Sequence, residues 1–304
     1  MKKTIVISCI FVLFVFTGLT GKLYGEHLIR VGIYDNPPKV FLDKNQKPAG
    51  LFVDLLNHIA KKENLQIDYV FDSWSNHLDN LYHGRIDLLV DVAYTENRAQ
   101  RFHFNQVPVI ESWIQFFTLK QSVITEIREL NNKNIAVLRG SLQHQYLENE
   151  FSEQFDIEFN VQEFDNYLES AKAIINGDAD FLLADRFFYF SPVKDTLLLP
   201  TPVIMNPSSL YFAFNQNTSE VLIHKIDLGL GELKNDPGSV YYKSLNKWFD
   251  LDIQNQTQGY LKLILALSII LVILFVLLII KLYRRLIKKN KELSFRGGHS
   301  AIGK

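Results

Sequence analysis

Leu81-Tyr82-His83-Gly84-Arg85-Ile86-Asp87-Leu88-Leu89-Val90 is echoed later in the chain by Ala173-Ile174-Ile175-Asn176-Gly177-Asp178-Ala179-Asp180-Phe181-Leu182-Leu183. Each stretch reads as the end of a helix, a glycine suited to a left-handed cap, an aspartate three residues on, and a buried strand. Each also stands at the same place in its own series of alternating elements. In the first series Leu28–Tyr34, Ile67–Phe71 and Ile86–Val92 read as strands, with Phe52, Leu55, Leu56 and Ile59 at helical spacing between the first two. In the second, the strands are Ile135–Leu138, Ile157–Phe164 and Phe181–Ala184, and the helices are Ser141–Glu150 and Tyr167–Asn176. The pattern predicts an α/β protein of two similarly built lobes, with a cleft between them for a ligand.

Outside this region the chain turns apolar at both ends. Met1-Lys2-Lys3 is followed by an apolar run from Thr4 to about Leu19 and then by Gly and Thr. That order predicts a secretory signal peptide over residues 1–25, a retained anchor being the other reading. The one cysteine, Cys9, lies inside the run, so the exported region must fold without disulfides. Near the other end Leu263–Ile280 is apolar except for Ser268 and covers roughly 27 Å at about 1.5 Å per residue. Lys281, Arg284, Arg285, Lys288, Lys289 and Lys291 follow it, while Asp250 and Asp252 precede it. The positive-inside rule then predicts a transmembrane helix over 261–281, a cytoplasmic tail over 282–304, and an extracytoplasmic domain over 26–259. A net charge of −1 gives no reason to expect a nucleic-acid partner.

The sequence between the apolar ends resembles the bacterial extracellular solute-binding proteins of family 3, the type II periplasmic binding proteins. The resemblance runs from about Leu28 to Phe249. It is carried by Arg30-Val31-Gly32-Ile33, Asp35-Asn36-Pro37-Pro38, Gly50-Leu51-Phe52-Val53-Asp54, Gly84-Arg85-Ile86-Asp87, Tyr94-Thr95-Glu96-Asn97-Arg98, Lys133-Asn134-Ile135-Ala136-Val137 and the closing helix Tyr241–Phe249. It implies a chain that crosses between lobes near Thr118–Gln121 and Leu210–Asn215. Lobe 1 would be about 26–118 with 215–250, lobe 2 about 121–210, and the ligand would close them about a hinge.

The resemblance also implies site residues. Arg98, three residues after the N-cap candidate Thr95, matches the arginine that clamps the ligand's carboxylate. Asp185 matches an aspartate that holds a ligand ammonium, and equally suits the cap of a helix starting at Arg186. Gly140 and Ser141 match a small-residue turn that binds carboxylates, with Arg139 beside them. Trp74 matches a position that packs one face of the ligand. Asp91 and Tyr94 sit at the same strand end, and Trp113 is either core or site. Family members that receive amino acids carry an aromatic after the paired prolines, whereas Lys39 and Val40 stand here. That departure argues against an ordinary amino-acid sandwich.

No metal-ligand spacing occurs among the eight histidines, and neither G-x-S-x-G nor G-x-G-x-x-G is present. Gly298–Lys304 fits a phosphate-loop spelling by coincidence, lacking the hydroxyl residue, strand and domain it needs. No cofactor and no enzymatic activity are expected. The last residues, His299-Ser300-Ala301-Ile302-Gly303-Lys304, resemble the lead-in to the dimerisation helix of sensor histidine kinases. The expected protein is the ligand-sensing input of a single-pass receptor of the bacterial inner membrane, homodimeric through its membrane and cytoplasmic helices, cut before a kinase core. The alternatives are a tethered receptor of an ABC transporter and the input domain of a diguanylate cyclase.

Overall fold

A computed structural model describes residues 28–119, 124–192, 198–249 and 253–299. The expected signal peptide, including Cys9, and the residues after His299 lie outside them. The described chain forms two units, up to Asp250 and from Leu251.

In the first unit the strands are β1 (Leu28–Ile33), β2 (Phe41–Leu42), β3 (Pro48–Ala49), β4 (Gln66–Phe71), β5 (Leu88–Ala93), β6 (His103–Phe104), β7 (Ile110–Leu119), β8 (Lys133–Leu138), β9 (Phe159–Phe164), β10 (Phe181–Asp185) and β11 (Leu198–Phe214). The principal helices are α1 (Leu51–Glu63), α2 (Trp74–Tyr82), α3 (Glu96–Ala99), α4 (Leu142–Tyr146), α5 (Tyr167–Asn176), α6 (Glu220–Asn235) and α7 (Val240–Phe249). Helix α4 runs on through Leu147–Phe151 to Phe155. A single sheet ordered β4-β1-β5-β11-β7-β10-β8-β9 passes through both lobes. Its two ends are parallel, β4-β1-β5 and β10-β8-β9, and the long antiparallel strands β7 and β11 join them.

The echoed sequence stretches are one device used twice. Asp87 accepts the backbone N–H of Arg30 at 2.9 Å and returns its own to the Arg30 carbonyl at 2.8 Å, latching β5 to β1. Asp180 accepts the N–H of Asn134 at 2.8 Å and returns its own at 2.9 Å, latching β10 to β8. Each aspartate can meet its neighbour because the glycine before it turns left-handed after the helix, at φ 68° for Gly84 and 80° for Gly177. Lobe 1 packs α1 on its strands and α6 and α7 against α1, with Phe52 and Phe212 in edge contact at 5.5 Å. Lobe 2 is built around Phe116, Phe151, Phe181, Ile135 and Leu183.

The crossing between lobes comes earlier than expected on both strands. Within β7, Glu111 and Ser112 still pair with the lobe-1 half of β11, while Ile114 already pairs with Asp185 of β10. Within β11 the change falls between Met205 and Leu210, beside a register irregularity at Met205–Ser208. Thr118 and Asn215 lie beyond it, each committed to one lobe by hydrogen bonds to Asp180 and to Leu81 respectively. Gln121 is not among the described residues. Apolar periodicity could not locate the change, because β7 and β11 are continuous strands through it.

The second unit is the helix α8 (Ile253–His299). Within its segment Lys262–Lys289 an 18-residue stretch reaches a mean hydropathy of 3.7, and the segment is long and apolar enough to cross a membrane.

Candidate ligand-binding cleft

The strand ends of both lobes face each other across a small cavity of about 30 Å³, room for roughly one or two waters. Tyr34, Asn36, Lys39, Trp74, Asp91 and Arg98 line it from lobe 1, and Leu138, Ser141, Gln143, Tyr167 and Asp185 from lobe 2. Ser112 and Trp113 line it from the crossing segment.

Arg98 is placed by local sequence. Thr95 caps α3, its hydroxyl accepting the Arg98 N–H at 3.1 Å, which turns the arginine inward. The side chain is buried and donates to the Ala93 carbonyl at 3.0 Å and, across the cleft, to the Gly140 carbonyl at 3.2 Å. Its guanidinium lies 5.3 Å over the Trp74 ring. Among the described residues no carboxylate pairs with it, and Nε has no hydrogen-bond partner. Burial lowers its pKa to about 10, so it remains charged at neutral pH.

Trp74 follows the N-cap Ser73 and donates from Nε1 to the same Gly140 carbonyl at 3.1 Å. Gly140 thus receives two lobe-1 donors on its carbonyl, and Ser141 caps α4 by accepting the His144 N–H at 3.1 Å. Asp185 does both things its sequence context allows: Oδ1 accepts the Phe187 N–H at 2.8 Å, capping the turn Arg186–Phe190, and Oδ2 lies in the cleft.

What the sequence reading missed is the partner of that oxygen. Lys39, 2% exposed, reaches across from lobe 1 and sets its Nζ 2.5 Å from Asp185 Oδ2 and 2.8 Å from Asp91 Oδ2. Asp91 also accepts from the Tyr34 hydroxyl at 2.7 Å and from Asn36 Nδ2 at 2.9 Å. Burial opposes the Lys39 ammonium, yet Asp185 and Asp91 together hold its pKa above the ordinary lysine value. Burial pushes the Asp91 carboxyl up while Lys39 pulls it back. With three donors converging on an acceptor-only group, we describe the pair as ionised. Tyr34 and Tyr167 are raised well above the ordinary phenol range, chiefly by burial, and stay neutral.

Gly50 fixes where Lys39 starts. It has φ 114°, and a Cβ there would lie 2.4 Å from the Lys39 carbonyl oxygen. That oxygen accepts the Phe52 N–H at 3.1 Å, tying the lysine's backbone to the first turn of α1. Gly50→Ala combines a disallowed φ with a backbone clash, and a loss of about 3 kcal/mol is expected, read as a lower thermal midpoint. An unchanged midpoint would show that the Pro38–Lys39 turn is not held in this way.

Two expected site residues lie elsewhere. Tyr94 is half exposed and packs with Phe104 at 5.3 Å and Tyr211 at 6.2 Å, because strand alternation sends Asp91 and Ala93 to the cleft and Tyr94 to the other face. Arg139 is drawn away from the cleft by Glu163 and Asp165, at 2.9 and 3.0 Å within its own lobe. Trp113 is at the cleft, with the Arg186 guanidinium 4.2 Å over its ring.

Comparison with known proteins agrees with this architecture. The family profile of the bacterial extracellular solute-binding proteins, family 3, matches residues 29–251. A probable amino-acid-binding protein of Bacillus subtilis, YxeM, is 23% identical over 234 residues, which cover 75% of this chain and 86% of that protein. The L-cystine-binding protein TcyA of the same organism is 21% identical over 227 residues, covering 73% and 80%. Among solved structures, an ancestral arginine-binding protein bound to glutamine superposes with a TM-score of 0.64 at 24% identity, over 73% of this chain and 97% of that one. A histidine kinase sensor domain described as similar to periplasmic binding proteins gives 0.65 at 22% identity, over 73% and 96%.

Proposed function

The chain belongs to the bacterial extracellular solute-binding proteins of family 3, and from that membership we propose that it binds a small carboxylate-bearing or amino-acid-like solute in this cleft as the input of a transmembrane signalling receptor. One observation carries the binding site: Arg98 is a buried cation with no carboxylate partner among the described residues, facing the opposite lobe. A buried charge is stabilised by pairing, and a ligand carboxylate would supply the pair. The cavity is too small for such a solute as it stands, so the lobes must part to admit it and close on it.

In this reading residues 1–25 are a signal peptide, 26–259 the extracytoplasmic domain, 261–281 the membrane span and 282–304 a cytoplasmic segment. Signalling rather than delivery to a permease is supported by α7. Asp54 of α1 accepts hydrogen bonds from Ser244, Lys247 and Trp248, so α7 is part of lobe 1. Its last residue, Phe249, is buried against Phe187 at 4.8 Å and Phe190 at 5.5 Å, both from lobe 2. The residue that leads toward α8 therefore touches the lobe that moves. The histidine kinase sensor domain among the structural neighbours lends this reading the support of fold alone.

Binding is tested by thermal shift with a panel of amino acids and carboxylic acids. A ligand confined to the folded state adds about 2.7 kcal/mol at a hundredfold excess over Kd. Arg98→Ala removes a charge-assisted contact of about 1.5–3 kcal/mol, so Kd should rise roughly 10- to 150-fold. Equal binding by Arg98→Ala would remove the arginine from the site.

A further inference from the structure

The structure assigns Lys39 a second role: its ammonium occupies the cation subsite of the cleft, so the solute taken is a carboxylate without an amino group. This rests on the binding function proposed above and narrows its ligand class.

The argument comes from which polar groups in the cleft are engaged. The two carboxylates that could receive a ligand ammonium are Asp91 and Asp185, and Lys39 Nζ stands between them at 2.8 and 2.5 Å. The remaining donors to them are also the protein's own: Tyr34 and Asn36 on Asp91, the Phe187 N–H on Asp185. An incoming ammonium would have to expel a buried lysine from two ion pairs and leave it buried without them. The buried cleft groups left without a partner can both donate. Arg98 Nε and the Ser112 hydroxyl are buried, belong to residues lining the cavity, and have no partner among the described residues. A site with spare donors and engaged acceptors selects an anion and rejects the corresponding zwitterion. Lys39 is held to this task by its backbone, through the contact with Gly50 and the bond to Phe52.

Matched pairs that differ only at the amino group test this: L-alanine with L-lactate, L-glutamate with 2-oxoglutarate, and L-phenylalanine with L-phenyllactate. Binding is measured by calorimetry on the full chain in lipid nanodiscs, for the natural sequence, Lys39→Met, Lys39→Arg and the double variant Lys39→Met with Asp185→Asn. In at least one pair the natural chain and Lys39→Arg should bind the acid lacking nitrogen at least about tenfold tighter than the amino acid. Lys39→Met frees the two carboxylates and should shift that preference toward the amino acid by about tenfold or more. The double variant returns the network to the natural chain's net charge and leaves Asp91 as the one freed carboxylate, so it should gain less amino-acid binding than Lys39→Met. A natural chain that prefers the amino acid, or a Lys39→Met variant with unchanged preference, overturns the inference. If that amino-acid binding is lost in Arg98→Ala, the binding function survives without it. If no member of any pair binds either the natural chain or Lys39→Met, both fall together.

Discussion

Asp91→Asn is expected to lower the stability of the first unit by about 3–5 kcal/mol, the cost of removing one partner from a buried ionic network. For a domain of this size that is a fall in thermal midpoint of roughly 6–20 °C, at about 2–4 °C per kcal/mol. The substitution isolates charge. Asp91 sits at φ 61°, a left-handed conformation that asparagine also tolerates, and the two side chains have the same shape. What changes is that Lys39 keeps only Asp185 as an ionic partner, while the oxygen that Tyr34 and Asn36 already share becomes neutral. Trp74, Trp113 and Trp248 are the only tryptophans and all lie in this unit, so their fluorescence follows its unfolding alone. Because the residues act together, Lys39→Met should cost much less in the Asp91→Asn background than in the natural chain. A loss below about 1 kcal/mol would place the network among weak, solvent-screened pairs and contradict its burial.

How far this site could be read in advance depends on the range over which each residue's position is decided. Arg98 was legible because its placement is local: a threonine three residues earlier caps the turn that carries it. Asp185 was legible for the same reason, its carboxylate capping the turn just after its own strand. The glycine–aspartate echo revealed two lobes of like construction, although the task of each aspartate, to latch one parallel strand to its neighbour, appears only when the strands are paired. Tyr94 and Arg139 were misplaced because nearness in sequence to a strand end does not fix the face a side chain takes. Alternation sends Tyr94 away, and two acids of β9 and the loop after it draw Arg139 aside. Lys39 was visible only as a departure, a lysine after paired prolines. Its meeting with Asp185 spans 146 residues and both lobes, and no periodicity or motif in the chain encodes a contact of that range.

In the signalling reading proposed above, that same contact bears on how closure would be communicated. Asp185 ends β10 and caps the turn Arg186–Phe190, so the group Lys39 grips and the rings that reach Phe249 belong to one short segment of lobe 2. Lys39 Nζ itself lies 5.8 Å from the Phe187 ring. The cleft and the end of α7 are therefore separated by a single turn of backbone rather than by a long relay.

Phe249→Ala is accordingly expected to separate binding from output. Truncating a fully buried phenylalanine costs about 3–5 kcal/mol, and here part of that loss falls on the contact between lobes. A ligand moves a receptor only by its differential affinity for the open and closed forms. A variant whose closed form no longer engages the end of α7 can thus be saturated without responding. The experiment fuses an intact histidine kinase core after Gly303 and measures phosphorylation across a full ligand titration. In the natural sequence, saturating ligand should change phosphorylation. In Phe249→Ala the change should fall to less than about a tenth at saturation, whereas Arg98→Ala should recover its full response once ligand is raised by the roughly 10- to 150-fold lost in affinity. Phe249→Leu keeps much of the buried volume and should retain most of the response, at a cost of about 1 kcal/mol. A Phe249→Ala fusion that is folded, binds ligand and responds in full would remove α7 from the signalling route. A natural-sequence fusion that binds ligand and does not respond at all would favour the tethered transport receptor, in which closure serves delivery and the apolar helix serves only as an anchor.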